Sequence, residues 1–175
     1  MTMGLVASAV GVNNVPESFR ALSSLPEIDY VDQFTLATDV EASPERWARA
    51  MFGNIPTLTE LLIWRGLLHI RLAQLPSADT VAGWRIGGRA QDWIRLEAAS
   101  WFLSGNLVVR TSHERVSLVT CLQFSRSVGT HVWHPLSVAH RQIVPGLLRA
   151  TAERIRADDA RHVDEEQPQK DRQRA

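Results

Sequence analysis

The sequence predicts an α+β fold, with a run of antiparallel hairpins between helical segments and a long helix at the C-terminal end. Two observations carry that prediction. Val116, Leu118, Thr120, Leu122 and Phe124 alternate with Arg115, Ser117, Val119, Cys121, Gln123 and Ser125, the period-two pattern of a strand with one mostly apolar face. Beyond Pro135, Leu136, Ala139, His140, Ile143, Leu147, Ala150 and Arg154 recur at helical spacing. Short turns cannot make parallel crossovers, so the strands should form an antiparallel meander, its concave face covered by the final helix.

Taken in order, residues 1–14 read as a flexible leader, and Val15–Leu25 as one short helix between Pro16 and Pro26. Tyr30–Val40 alternates loosely and is the first expected strand. Ser43-Pro44-Glu45 is a helix start: a hydroxyl caps free N–H groups, proline suits the first helical position, and a carboxylate suits the positive dipole end. That helix should stop at Gly53. Thr57–Glu60 fits a capping box and opens a second helix running to about Leu75-Pro76. This helix is apolar nearly all round, the mark of burial on two sides, and carries Arg65 and His69 four residues apart on one stripe.

Val81–Ala90 reads as a strand that Gly83, Gly87 and Gly88 weaken, which suggests a bulge or an edge. Trp93–Trp101 and Asn106–Ser112 complete the hairpins, with turns expected at Ser104-Gly105-Asn106 and His113-Glu114. Pro145 should kink the final helix, whose pattern fades by Ala157. From Asp158 to Ala175 apolar residues nearly vanish, which predicts a disordered polar tail. The division is therefore a leader over 1–27, one domain over 28–157 and a tail over 158–175.

Composition narrows the function classes. At 175 residues, 45% of them hydrophobic, the chain suits one core that needs no metal or disulfide. The single Cys121 excludes an intramolecular disulfide and fits a reducing compartment. Nineteen basic and nineteen acidic residues cancel, and eighteen arginines lie scattered among the acids, which argues against nucleic-acid binding. Met1–Val12 lacks the basic start of a secretory signal, and no apolar run reaches membrane-spanning length. The expectation is a cytoplasmic protein with no membrane insertion and an unspecified oligomeric state.

The block Gly129, Trp133, His140-Arg141, Ile143-Val144-Pro145 and Leu147-Leu148-Arg149 resembles the C-terminal block of an uncharacterised bacterial family. That family belongs to the START, polyketide-cyclase-like superfamily, and Ser43–Trp47 with Arg65 also looks similar. The resemblance covers roughly residues 28–157. It implies a helix-grip fold, in which a curved antiparallel sheet wraps a long C-terminal helix around an internal cavity, with two helices after the first strand. It implies an apolar or aromatic ligand. It carries over no activity, because the family itself has no settled one, and members of the superfamily without catalysis are common.

Gly-rich phosphate loops, Gly-x-Ser-x-Gly elbows and Cys-x-x-Cys pairs are missing. Acid–base chemistry in a cavity would need an inward carboxylate or imidazole, for which Glu97 and His140 are the candidates. His131, His134 and His140 invite a metal, but Pro135 breaks their register and no acid or cysteine completes the set, so neither metal nor cofactor is expected. His140 is expected to donate to a backbone carbonyl. Arg65 and His69 either line a cavity mouth or serve structure, with Arg65 paired to Glu97 or Asp92. The six tryptophans suit a core or a cavity wall. The candidate ligand-binding set is Arg65, His69, Trp93, Leu118, Leu122, Phe124, Ile143 and Leu147. Three functions remain: a binder of a small apolar molecule, an enzyme of cyclase, dehydratase or isomerase type, or a non-catalytic interaction domain.

Overall fold

The computed structural model describes residues 4–53, 62–73 and 75–172, with backbone alone at 62 and 163–172. Among these residues seven strands form one open, curved antiparallel sheet: β1 Val6–Val10, β2 Tyr30–Ala37, β3 Thr80–Val81, β4 Trp84–Arg89, β5 Trp93–Ala99, β6 Leu103–Ser112 and β7 Arg115–Phe124. Their spatial order is β1-β2-β7-β6-β5-β4-β3. Strands β3 to β7 are thus the expected meander, and β2 closes on β7 with Tyr30 opposite Leu122, Asp32 opposite Thr120 and Phe34 opposite Leu118. Among the described residues three α-helices accompany the sheet: α1 Glu17–Arg20, α2 Pro44–Phe52 and α3 Ser127–Arg172.

Period-two alternation decides which side chains enter the main core. Phe34 and Leu36 of β2, Ile94 and Leu96 of β5, Leu107 and Val109 of β6, and Val116, Leu118 and Leu122 of β7 share one face. They meet Trp47 and Met51 of α2 and Trp133, Val144, Leu148 and Ile155 of α3. The opposite face is covered as well. Val31, Val108, Val119 and Cys121 pack under Val15, Phe19, Leu22 and Leu25 from the segment around α1. Helix α2 begins as its sequence foretells: Ser43 Oγ accepts the Arg46 N–H at 3.2 Å, and Gly53 ends the helix at φ +73°.

The structure corrects five expectations. The leader is not loose: Val6–Val10 pairs antiparallel with β2, because without it that strand would leave a ladder of N–H and C=O groups unpaired. The second helix does not reach Leu75. Its start, Thr57–Glu60, lies outside the described residues. Leu62–Leu67 makes one π-helical stretch, and His69 at φ +51° leaves the helix. The N–H groups of Arg71 and Ala73 then donate to Ala99 and Gly83 at 3.0 and 2.8 Å, so sheet carbonyls outcompete a continued helix.

The expected Val81–Ala90 strand is two strands, β3 and β4, joined through Ala82 and Gly83, and the foreseen irregularity lies between Ile86 and Gly88. A side chain at Gly87 would run into the Glu97 carboxylate, so the glycine there is needed for close approach. Ser104-Gly105-Asn106 is no turn but the start of β6; the chain reverses at Ser100–Phe102 instead. Finally, α3 begins at Ser127, runs on through Pro135 and Pro145, and does not fade at Ala157. Asp159 pairs with Arg46 of α2, and Asp158 with Arg161 one turn on, which gives the polar stretch helix-stabilising partners.

Candidate functional site

Between the sheet and α3 lies a pocket of about 190 Å³. Its walls are Leu107, Leu118 and Leu122 from the sheet, Trp64, Leu68 and Ile70 from the segment after α2, Trp84 from β4, and Trp133, Leu136, Ile143 and Leu147 from α3. Among the described residues that line it there is no Asp, Glu, Lys or Arg; Thr120 and His140 give it one polar end.

Behind that end sits Asp32, which is fully buried. Three elements bring the polar group together. On β2, alternation turns Tyr30 and Asp32 to the same face as Phe34, and the Tyr30 hydroxyl donates to Asp32 Oδ2 at 2.6 Å. On β7, Thr120 lies directly across from Asp32. From α3, His140 Nε2 reaches Thr120 Oγ1 at 3.1 Å and Asp32 Oδ2 at 3.2 Å. Burial, with the Asp32 charge beside it, pushes the Tyr30 hydroxyl far above the ordinary tyrosine range, so it stays protonated as a donor. The rings of Tyr30 and His140 both pack on Trp133, at 5.2 and 5.4 Å between centroids.

His140 Nε2 is thus the ring nitrogen turned toward both Thr120 and Asp32. Among the described residues Nδ1 has no hydrogen-bond partner, nor do the buried atoms Asp32 Oδ1, Trp84 Nε1 and Trp133 Nε1. The arrangement therefore holds one oriented imidazole and two indole donors on an otherwise apolar wall. No group of three His, Cys, Asp or Glu side chains able to hold a metal ion occurs among the described residues.

Of the residues singled out from the sequence, Leu118, Leu122, His140, Ile143 and Leu147 line the pocket. The others do not. Trp93 packs on the opposite face of the sheet with Val31 and Cys121, because it shares the parity of Arg95 and Glu97 rather than of Ile94 and Leu96. Glu97 lies on that outer face too, bound by Arg95 at 2.8 Å, by Arg85, and by the Ser24 hydroxyl at 2.9 Å. Its burial favours the protonated form, but the Ser24 and Arg95 hydrogen bonds and the Arg85 charge outweigh that and hold the carboxyl below its ordinary range.

Arg65 is exposed and donates to the Leu72 carbonyl at 3.1 Å, so it pairs with neither Glu97 nor Asp92; Asp92 binds Arg110 at 3.0 Å. His69 is exposed beside the Leu67 carbonyl. Phe124 packs at the rim of the core, next to Gly129. His140 binds side chains and not the backbone carbonyl expected of it. The residue that sequence reasoning missed is Asp32, and its signal was present: one carboxylate on a strand face otherwise made of Tyr30, Phe34 and Leu36.

In comparisons with known proteins, no family model, no curated protein and no solved structure matches the chain. The site speaks through its own geometry. Among the described residues no helix is long and apolar enough to cross a membrane.

Proposed function

We propose that the chain binds a small, mostly apolar molecule between its sheet and α3. The observation that carries this reading is the composition of the pocket wall: among the described residues, apolar and aromatic side chains with a polar end at His140 and Thr120, the usual make-up of a small-molecule site. The curved sheet beneath a long final helix also supports the helix-grip reading and its START-like kinship. The test is a titration with neutral one-ring molecules, read by the fluorescence of Trp64, Trp84 and Trp133. Saturable change is expected in the natural protein, and Leu147→Trp, which fills the pocket, should abolish it. No saturable change with any such molecule overturns the reading.

A second reading, acid–base catalysis, is favoured by one observation: His140 Nε2 lies 3.2 Å from the buried Asp32 carboxylate, a pairing that can hold an imidazole ready to take a proton. Glu97, on the other face of the sheet, has no part in it. Here His140 removes a proton from a carbon next to a carbonyl and returns one to the same carbon. Exchange of 2-indanone C–H for deuterium, followed in heavy water, should be faster than in buffer and should revert to the buffer rate in His140→Leu. A rate equal to buffer in the natural protein removes this reading.

A further inference from the structure

Charge, size and hydrogen-bonding capacity narrow the ligand further, an inference that rests on the binding reading above. Size comes first. An apolar protein cavity of about 150 Å³ holds benzene, so a pocket of about 190 Å³ has room for one ring with a small substituent.

Charge comes next. The described lining residues include no cation, and the Asp32 carboxylate stands behind His140 at the polar end. An anionic ligand would lose its hydration without a counter-charge and would meet Asp32 as well. Arg141, next in sequence to His140, donates Nε to the Ser137 carbonyl at 3.1 Å and does not line the pocket.

Hydrogen-bonding capacity decides the rest. His140 Nε2 is turned to Thr120 at 3.1 Å and Asp32 at 3.2 Å, so Nδ1 is the ring nitrogen without a partner among the described residues. Trp84 and Trp133 line the same pocket, and their buried indole N–H groups have no acceptor among the described residues. Buried donors of this kind are costly to leave unpaired. A hydroxyl group meets both needs, because it donates one hydrogen bond and accepts another.

We propose that the pocket selects a neutral molecule of about one substituted ring that carries a hydroxyl, and that His140, oriented by Asp32, receives the hydroxyl proton in a hydrogen bond. Asp32 is then a positioning residue, and the Tyr30 hydroxyl holds it from the other side.

The experiment compares toluene, p-cresol and p-toluate by isothermal titration at neutral pH with the full chain. p-Cresol should bind about tenfold tighter than toluene, the ratio that ~1.4 kcal/mol supplies, and p-toluate should bind more weakly than either. His140→Leu should bring p-cresol and toluene within about twofold of each other while toluene binding persists. In the natural protein the ¹⁵N resonance of His140 Nδ1 should move with p-cresol and stay with toluene, a readout that needs no variant. Equal affinity for toluene and p-cresol, or tightest binding of p-toluate, overturns the proposal and leaves the apolar pocket standing. Failure of all three to bind removes the binding reading itself.

Discussion

The pairing of Asp32 with His140 makes a measurable demand on stability. Asp32 is fully buried; its Oδ2 accepts from Tyr30 at 2.6 Å, and His140 Nε2 lies 3.2 Å away. Removing one partner of a buried pair costs about 3–5 kcal/mol, because a charge stays behind without compensation. The His140 side chain keeps 21% of its exposure, so water partly reaches its side of the pair. Tyr30 also continues to donate. Both effects bring the expected cost of His140→Leu to about 2–3 kcal/mol. Asp32→Val removes the charge but strands the Tyr30 hydroxyl, while His140 keeps Thr120, at about 1–2 kcal/mol. The double variant takes the acceptor from Tyr30 and the imidazole partner from Thr120, and should sit about 1–2 kcal/mol below the natural protein. Equilibrium urea unfolding, followed by tryptophan fluorescence and circular dichroism, gives all three values at one pH. The coupling between the two sites should then be about 2 kcal/mol. Additivity to within about 0.5 kcal/mol would show that the two side chains are neighbours without energetic dependence, and the site would lose its organising pair.

Three further outcomes follow from the structure. Ser43→Ala removes the acceptor of the Arg46 N–H and should lower stability by about 1 kcal/mol, read as a drop in thermal midpoint of about 2–4 °C. Glu97 has a folded-state pKa below its unfolded value of about 4.3, so its ionised form stabilises the fold above that pH, and the contribution is lost as pH falls through the lower folded value. Glu97→Gln should therefore flatten the acid limb of the stability profile; an unchanged limb would remove the Arg85–Glu97–Arg95 cluster from the account. Cys121 is fully buried and its thiol is pushed up to about 11, by burial first of all, so an aromatic disulfide reagent at neutral pH should label it only when urea unfolds the chain. Prompt labelling of the folded protein would contradict its place beneath Val15 and Val31.

How much of this was legible beforehand differs from residue to residue. Ser43-Pro44-Glu45 announced α2 because a helix start is local chemistry: one hydroxyl, one ring and one carboxylate act on N–H groups within a turn. The β7 alternation likewise announced that Val116, Leu118, Thr120 and Leu122 share a face, since side-chain direction in a strand follows from its pleat. For β5 the same alternation sorted Ile94 and Leu96 from Trp93, Arg95 and Glu97, but not which set faces the pocket. Both faces of this sheet are covered, one by α2 and α3 and the other by the segment around α1, so burial alone does not name the concave side.

Sequence by itself thus determined the start of α2, the α3 stripe carrying His140, Ile143 and Leu147, and the apolar face of β7. Tertiary structure alone decided that Val6–Val10 completes an edge, that residues 68–73 lie along sheet carbonyls in place of a helix, and that Asp32 meets His140. The physical reason is range. Caps and pleats are set by neighbours in the chain, whereas a buried carboxylate finds its imidazole only when β2 has paired with β7 and α3 has docked across both.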